Sequence, residues 1–340
     1  MSFGYRIYFV DRVRNRVVRW NPDTGETMTI AGGSVAADAS QMLQEPYGLA
    51  LDPTGNLLIS DKLNHRICRL RKGRLEAIAM RDTDGHRAVR PDTPALFHPD
   101  RVHSPTSMVV EKAGSILCAF FDDQTIYRIH VDGRLELVLG IVPNRPYFHN
   151  RPRQHIPPEE IREEPIGSPV ALVARSDGTL FFVERRTQVV REFHPKRGLR
   201  SLFSLSHMAK WFQQTEAPAS GRLDAYHPVS PTSLALDAKE NLYLCDNCHG
   251  SVLRLEPEKG TFQRVLFVPR GARKVQDTGP VAVAFGPDGT PWVARTDTQE
   301  LRAHSIAADG TWLPASATLD RIQGEPLRLG SGGMGMIGAS

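Results

Sequence analysis

The sequence predicts an all-β fold, a six-bladed β-propeller of four-stranded antiparallel blades, and three observations carry that prediction. Variants of one segment, 45–70 (EPYGLALDPTGNLLISDKLNHRICRL), recur along the whole chain. Each recurrence fits four short strands into roughly 40 residues, the period of a propeller blade. The two chain ends supply complementary parts of one unit, so six blades account for the 340 residues with none left over.

In the 45–70 segment Leu49, Leu51, Leu57 and Ile59 alternate with their neighbours at the period of two of a pleated strand. Pro53-Thr54-Gly55-Asn56 between them has the residues of a tight reversal: Pro presets φ, while Gly and Asn tolerate positive φ. The third unit starts at Ser104 (SPTSMVVEKAGSILCAFFDDQTIYRI) and the fourth at Ser168 (SPVALVARSDGTLFFVERRTQVVREF). The fifth starts at Ser230 (SPTSLALDAKENLYLCDNCHGSVLRL) and the sixth at Gly279 (GPVAVAFGPDGTPWVARTDTQELRAH). Each opens with X-Pro and runs strand, turn, strand, turn, strand, with a fourth strand after it.

Residues 5–33 (YRIYFVDRVRNRVVRWNPDTGETMTIAGG) match a blade from its second strand onward. Residues 325–333 (EPLRLGSGG) match the missing first strand, as comparison with EPYGLALD shows. The last strand is therefore expected to complete the first blade, closing the ring and removing the unpaired edges of an open sheet. The expected organisation is a single propeller over 1–340.

Composition bounds the function. Net charge is +4, too thin an excess to point to nucleic acid. The aromatics Phe148, Trp211, Phe212 and Tyr226 lie in loops and form no RNA-stacking platform. No apolar run approaches the roughly eighteen residues of a membrane span. The N-terminus lacks a basic region followed by an apolar one, and four cysteines are too few for a disulfide scaffold, so a cytoplasmic location is expected. Cys245 and Cys248 form one C-x-x-C, with Cys245 inside a strand pattern, which reads as structural.

Three long connections, 81–103, 142–167 and 206–229, join a fourth strand to the next first strand. By blade geometry they share one face with the turns between second and third strands. Residues 142–167 read as a covering loop, and 206–214 as one or two helical turns capped by Ser206. Of twelve histidines, seven (His86, His98, His103, His149, His155, His207, His227) fall in these insertions, and His65 and His249 fall in second-to-third-strand turns. Converging imidazoles bind transition metals or act as acid and base; exposed loops also simply collect polar residues.

Two further constellations sit at the channel mouth. The residue before each inner-strand Pro is Glu45, Ser104, Ser168, Ser230, Gly279 or Glu325, which places two carboxylates on neighbouring blades. Such a pair could share a proton or hold a hard cation such as Ca²⁺. The slot ending each second strand holds Asp11, Asp61, Phe120, Glu184, Asp246 or Arg295. The acids there are expected to satisfy amides of the following turn. Phe120 and Arg295 cannot, and Arg295, with Arg185 and Arg186, could bind a carboxylate or phosphate.

Pro46-Tyr47-Gly48-Leu49-Ala50-Leu51-Asp52, Gly55-Asn56-Leu57, Ser60-Asp61 and Asn64-His65-Arg66-Ile67 resemble NHL repeats of the bacterial type, as does the linker from Ala31-Gly32-Gly33 to Glu45-Pro46. The resemblance implies the propeller fold but not one activity, since the family includes protein- and RNA-binding propellers, lyases and hydrolases. Its peptide-amidating lyases place metal-binding histidines just after the inner-strand Pro. Here those positions are Tyr47, Thr106, Val170, Thr232, Val281 and Leu327, so the resemblance does not extend to that zinc site.

The function expected is binding of a small polar molecule or a protein segment at the insertion-bearing face and channel mouth, through Glu45, Glu325, His98, His227, His249 and Arg185. The alternative is a metal-assisted lyase, hydrolase or isomerase at the same mouth, with Tyr47, His103 and Arg295 catalytic. Its divalent metal, Ca²⁺ or Zn²⁺, would be held by Glu45, Glu325, His98 and His103. RNA binding is a third reading.

Overall fold

Apolar alternation broken every few residues by turns makes each repeat a four-stranded antiparallel meander. The computed structural model describes residues 3–80, 103–140, 153–203, 205, 218–268, 279–322, 325–327 and 336–339. Within them six such meanders stand as blades of a β-propeller, and no α-helix occurs.

Blade 2 shows the plan: Pro46–Leu51, Leu57–Asp61, Arg66–Arg71 and Arg74–Met80, each strand paired to the next. Leu49 faces Ile59 and Ile59 faces Cys68, so one row of apolar side chains crosses the blade. Blade 3 runs from Pro105–Val110 to Leu135–Leu139, and blade 6 from Pro280–Phe285 to Trp312–Leu319. Blades 4 and 5 start at Pro169–Ala174 and Pro231–Leu236 and gain a fifth, outermost strand. Those extra strands, His155–Ile156 and Ser220–Arg222, come from two of the long connections. Residues 142–167 are thus more than a covering loop: besides His155–Ile156 they form a 3₁₀ turn, Pro158–Glu163. The helical turns expected at 206–214 lie outside the described residues.

The first strand of each blade packs against the first strands of its neighbours, lining the central channel. In blades 2 to 6 that strand opens on Pro and is bulged directly after it, as between Pro46 and Leu49 or Pro231 and Ser233. Pro donates no ladder hydrogen bond, so the strand start and the bulge are where it is tolerated. Gly48 sits in this region because nothing larger fits. A Cβ there would lie 2.2 Å from the Thr106 carbonyl oxygen of blade 3, and Gly48 N donates to Ser60 Oγ at 2.6 Å.

Apolar clusters fill the spaces between blades. One joins Phe181 and Val190 of blade 4 to Leu244 and Phe262 of blade 5. Each such side chain contributes about 1.5–3 kcal/mol on burial. Another joins the two ends of the chain, with Tyr5, Ile7, Phe9 and Trp20 against Trp292, Leu301 and Leu327. Trp292 Nε1 donates to Tyr5 Oη at 3.0 Å, and Tyr5 Oη donates to Asp288 at 3.0 Å. Trp20 and Trp292 meet edge to face at 5.2 Å.

A C-terminal strand does complete blade 1 and close the ring, but it is not the segment 325–333 that the repeat alignment selects. Met336–Ala339 pairs antiparallel with Arg6–Asp11, Ile7 facing Gly338 and Phe9 facing Met336. Glu325–Pro326 instead forms a two-residue ladder with Arg321–Ile322. Sequence likeness to EPYGLALD therefore misplaced the strand, because pairing is decided by which segment reaches the open edge of Arg6–Asp11.

Two outcomes are expected. Gly48→Ala should cost about 1–3 kcal/mol through overpacking against blade 3, seen as a lowered thermal midpoint with an unchanged far-UV spectrum. Deleting residues 336–340 should cost at least about 2 kcal/mol in lost strand pairing and promote self-association through the bared edge. Chemical denaturation and sedimentation would report both effects, and a truncated chain as stable and monomeric as the parent would contradict non-covalent closure.

Candidate functional site

The turns between second and third strands build a collar around one end of the channel. Each turn ends on a left-handed residue: Asn15 (φ 52°), His65 (50°), Gln124 (56°), Gln188 (58°), Gly250 (62°) and Gln299 (52°). In two blades this residue latches the next blade. Asn15 Oδ1 accepts from Glu45 N at 2.8 Å, and His65 Nδ1 accepts from Ser104 N at 3.0 Å. Glu45 (φ 45°), Ser104 (54°) and Ser168 (48°) are themselves left-handed before Pro, a strained conformation that persists only where surrounding bonds impose it.

Beneath the collar the slot acids are structural, but only Asp11 accepts from an amide of the turn that follows it, as the sequence predicts; the others bond side chains or the amides of more distant segments. Asp11 accepts from Arg14 N and from Arg16 Nε at 3.0 Å. Asp61 accepts from Gln44 N, Asn64 and Arg66 Nε, the last at 2.7 Å. Glu184 accepts from Thr187 and from Arg191 Nε at 2.8 Å. Arg295 reverses the polarity of this pair. Register sets it opposite Glu300, where blades 1 and 2 pair Asp11 with Arg16 and Asp61 with Arg66. It holds Glu300 at 3.3 Å and Asp297 at 2.5 Å. Its charge is met internally. In blade 3 Phe120 is buried, and Asp122 and Asp123 take over the polar role by binding Ser104 Oγ and His103.

One step beyond each slot lie Arg12, Lys62, Phe121, Arg185, Asn247 and Thr296. Glu45 sits among them. It accepts from Lys62 Nζ at 2.9 Å and from Arg12 at 3.4 Å, and the Lys62 bond holds its carboxyl below the usual range. Arg12 lies 4.9 Å over the Tyr47 ring and Lys62 5.5 Å over Phe121. Arg12 Nε, Ser168 Oγ, Thr232 Oγ1 and Asn247 Oδ1 are buried without a hydrogen-bond partner among the described residues.

Below this collar the channel holds a cavity of about 360 Å³, the size of a ligand pocket. Tyr47 and Thr232 line it at the collar side, and Met108, Val173, Leu236 and Phe285 further along. Apart from Tyr47, the described lining has no ionisable side chain. Of the residues selected from sequence that are described, Tyr47 alone lines this cavity.

The others are distributed as follows. His103 Nδ1 lies 2.9 Å from Asp123 Oδ1, with its ring edge-on to His65 at 5.4 Å. His227 and His249 come together in blade 5, both buried. His249 Nδ1 is 2.7 Å from Asp246 Oδ2 and 2.7 Å from Tyr226 Oη, and Tyr226 donates to Asp246 at 2.5 Å. Burial pushes Asp246 up, but the bonds from His249, Tyr226 and Ser230 N override it and hold the carboxyl low; burial, then Asp246, drives Tyr226 up. This trio ties the 246–250 turn to the described end of the third long connection. Arg185 occupies the collar, half-buried. His98, with His86, His149 and His207, lies outside the described residues, as does the Glu325 side chain.

Of the carboxylate pair expected at the mouth, Glu45 lies between two cations, and the Glu325 side chain lies outside the described residues. No three His, Cys, Asp or Glu side chains cluster as metal ligands among the described residues. No disulfide joins Cys245 to Cys248. No described helix is long and apolar enough to cross a membrane. Arg12, Lys62 and Phe121 escaped the sequence reading, although their shared register one step after the slot was there to be aligned.

No family model matches the chain, and no curated protein matches it. Solved structures do. A chain of the nidogen/laminin complex aligns at TM-score 0.60 and 14% identity, covering 99% of each chain. A streptogramin B lyase aligns at 0.55 and 13%, covering 91% of this chain and 78% of its own. A putative gluconolactonase aligns at 0.52 and 16%, covering 85% and 80%. The likeness is one of fold.

Acid should destabilise the protein through two buried histidines. Burial pushes His227 down to about 3 and His304 down to about 4. Below pH 6.5 the unfolded chain takes protons that the folded one refuses, so stability is full above 6.5 and falls with pH toward those values. At pH 5 each should cost about 2 kcal/mol. Denaturant titrations at pH 7, 6 and 5 should show the decline, and His227→Phe should flatten it; an unchanged slope would place His227 outside the effect.

Proposed function

We propose that the protein is a binding propeller of NHL type that holds a small molecule at the collar and in the channel behind it. The observation that carries this reading is the cavity of about 360 Å³, lined mainly by apolar side chains with Ser107, Thr232 and Ser233 among them and headed by Tyr47. Acid–base chemistry needs proton carriers facing the substrate. Here the carboxylates and imidazoles around the channel are engaged elsewhere: Glu45 with Lys62, Asp246 with His249, Arg295 with Asp297. A pocket lined mainly by apolar side chains, with a few polar groups among them, suits binding. The insertion-bearing face is the side from which the ligand enters in this reading.

One observation favours an enzyme instead. His103 is partly exposed and oriented by Asp123 at 2.9 Å, the arrangement of a general base with its positioning carboxylate. A lyase or hydrolase acting on a small polar substrate at the mouth would use it.

The neutral probe N-phenyl-1-naphthylamine should gain fluorescence on binding the channel. Val173→Trp, which fills the lining, should abolish the gain while leaving the thermal midpoint unchanged. Fluorescence that survives Val173→Trp would move the binding site out of the channel. If His103→Ala, rather than Val173→Trp, removed a reproducible hydrolytic or eliminative activity, the enzyme reading would take precedence.

A further inference from the structure

The collar and the cavity differ in chemistry, and the difference specifies a ligand. Three of the six collar positions are cationic, Arg12, Lys62 and Arg185, and among the described residues Glu45 is the carboxylate set between two of them. The neighbouring acids are already bonded: Asp123 to His103, Asp297 to Arg295, Asp122 to Ser104. Arg12 and Lys62 keep 16% and 18% of their side-chain surface exposed, so both cations can be reached from the mouth. Tyr47 is the junction, its ring lining the cavity and carrying the Arg12 guanidinium.

Resting on the binding reading, we propose that the ligand is an amphipathic monocarboxylate, its anionic head held at the collar by Arg12 and Lys62, its apolar body in the channel. Guanidinium and ammonium groups give charge-assisted bonds to carboxylate oxygens. The cavity of about 360 Å³ takes a body of about twelve water-sized units. Glu45 occupies the cations as an internal carboxylate that the ligand head displaces.

Competition against N-phenyl-1-naphthylamine tests this with decanoate, decanol and acetate. Decanoate should bind about ten-fold or more tighter than decanol, with acetate weak, and added salt should weaken decanoate alone. Arg12→Gln and Lys62→Gln should each weaken decanoate about ten-fold and spare decanol. Glu45→Gln should tighten decanoate, a gain that damage to the fold would not produce. If decanoate binds no better than decanol while Val173→Trp blocks both, the head-group assignment falls and the channel reading stands. If Val173→Trp leaves decanoate and probe untouched, the channel reading falls and this proposal with it. Absence of decanoate binding to the parent protein overturns the proposal directly.

Discussion

The molecule depends on one strand pairing, that of Met336–Ala339 with Arg6–Asp11. The chain joins each blade to the next covalently except where its two ends meet, so the blade that contains both ends must be held by non-covalent forces. Here a four-residue ladder is reinforced by burial: Tyr5, Trp20 and Trp292 pack across the seam between blades 6 and 1, and the Tyr5 hydroxyl is hydrogen-bonded to Trp292 and Asp288. That burial pushes the phenol up to about 12, so it stays a neutral hydrogen-bonding group throughout the ordinary pH range. The channel exists because this seam forces six inner strands into a ring.

Repetition makes the collar, and departures from repetition make it chemically distinct. In five blades the slot beneath the turn holds a polar pair or network, as acid–base pairs of either polarity or as a buried Tyr–Asp–His trio, while in blade 3 Phe120 fills it and Asp122 and Asp123 take the polar role. The residue one step further differs from blade to blade: Arg12, Lys62, Phe121, Arg185, Asn247 and Thr296, of which Asn247 and Thr296 bond backbone carbonyls at the start of blade 6. Divergence at a position that backbone geometry repeats is where selectivity for a ligand can be built without disturbing the fold.

The ionisable groups around the mouth form two populations. Those below the collar are buried and mutually bonded, and their charges serve the turns. Those on the collar are partly solvated and surround a cavity that otherwise excludes charge. Low polarity in the channel strengthens any interaction made at its rim, because fewer waters compete for the same donors. This is the physical reason for reading the site as a binding site with a charged end.

The number of blades, their four-strand plan, the turn chemistry and closure by a C-terminal strand were legible in the sequence, because each rests on local periodicity or on counting. So were the structural duties of Asp11, Asp61, Glu184 and Asp246, since a short acid before a turn has few other uses. Which C-terminal segment closes the ring was not legible: 325–333 resembles an inner strand, yet Met336–Ala339 is the segment that reaches the edge of Arg6–Asp11. Nor was the company kept by Glu45, whose neighbours Arg12 and Lys62 lie 33 and 17 residues away in sequence. Local pattern determines what each residue can become, but contacts between blades depend on how the whole ring is wound, and only the tertiary structure decided those.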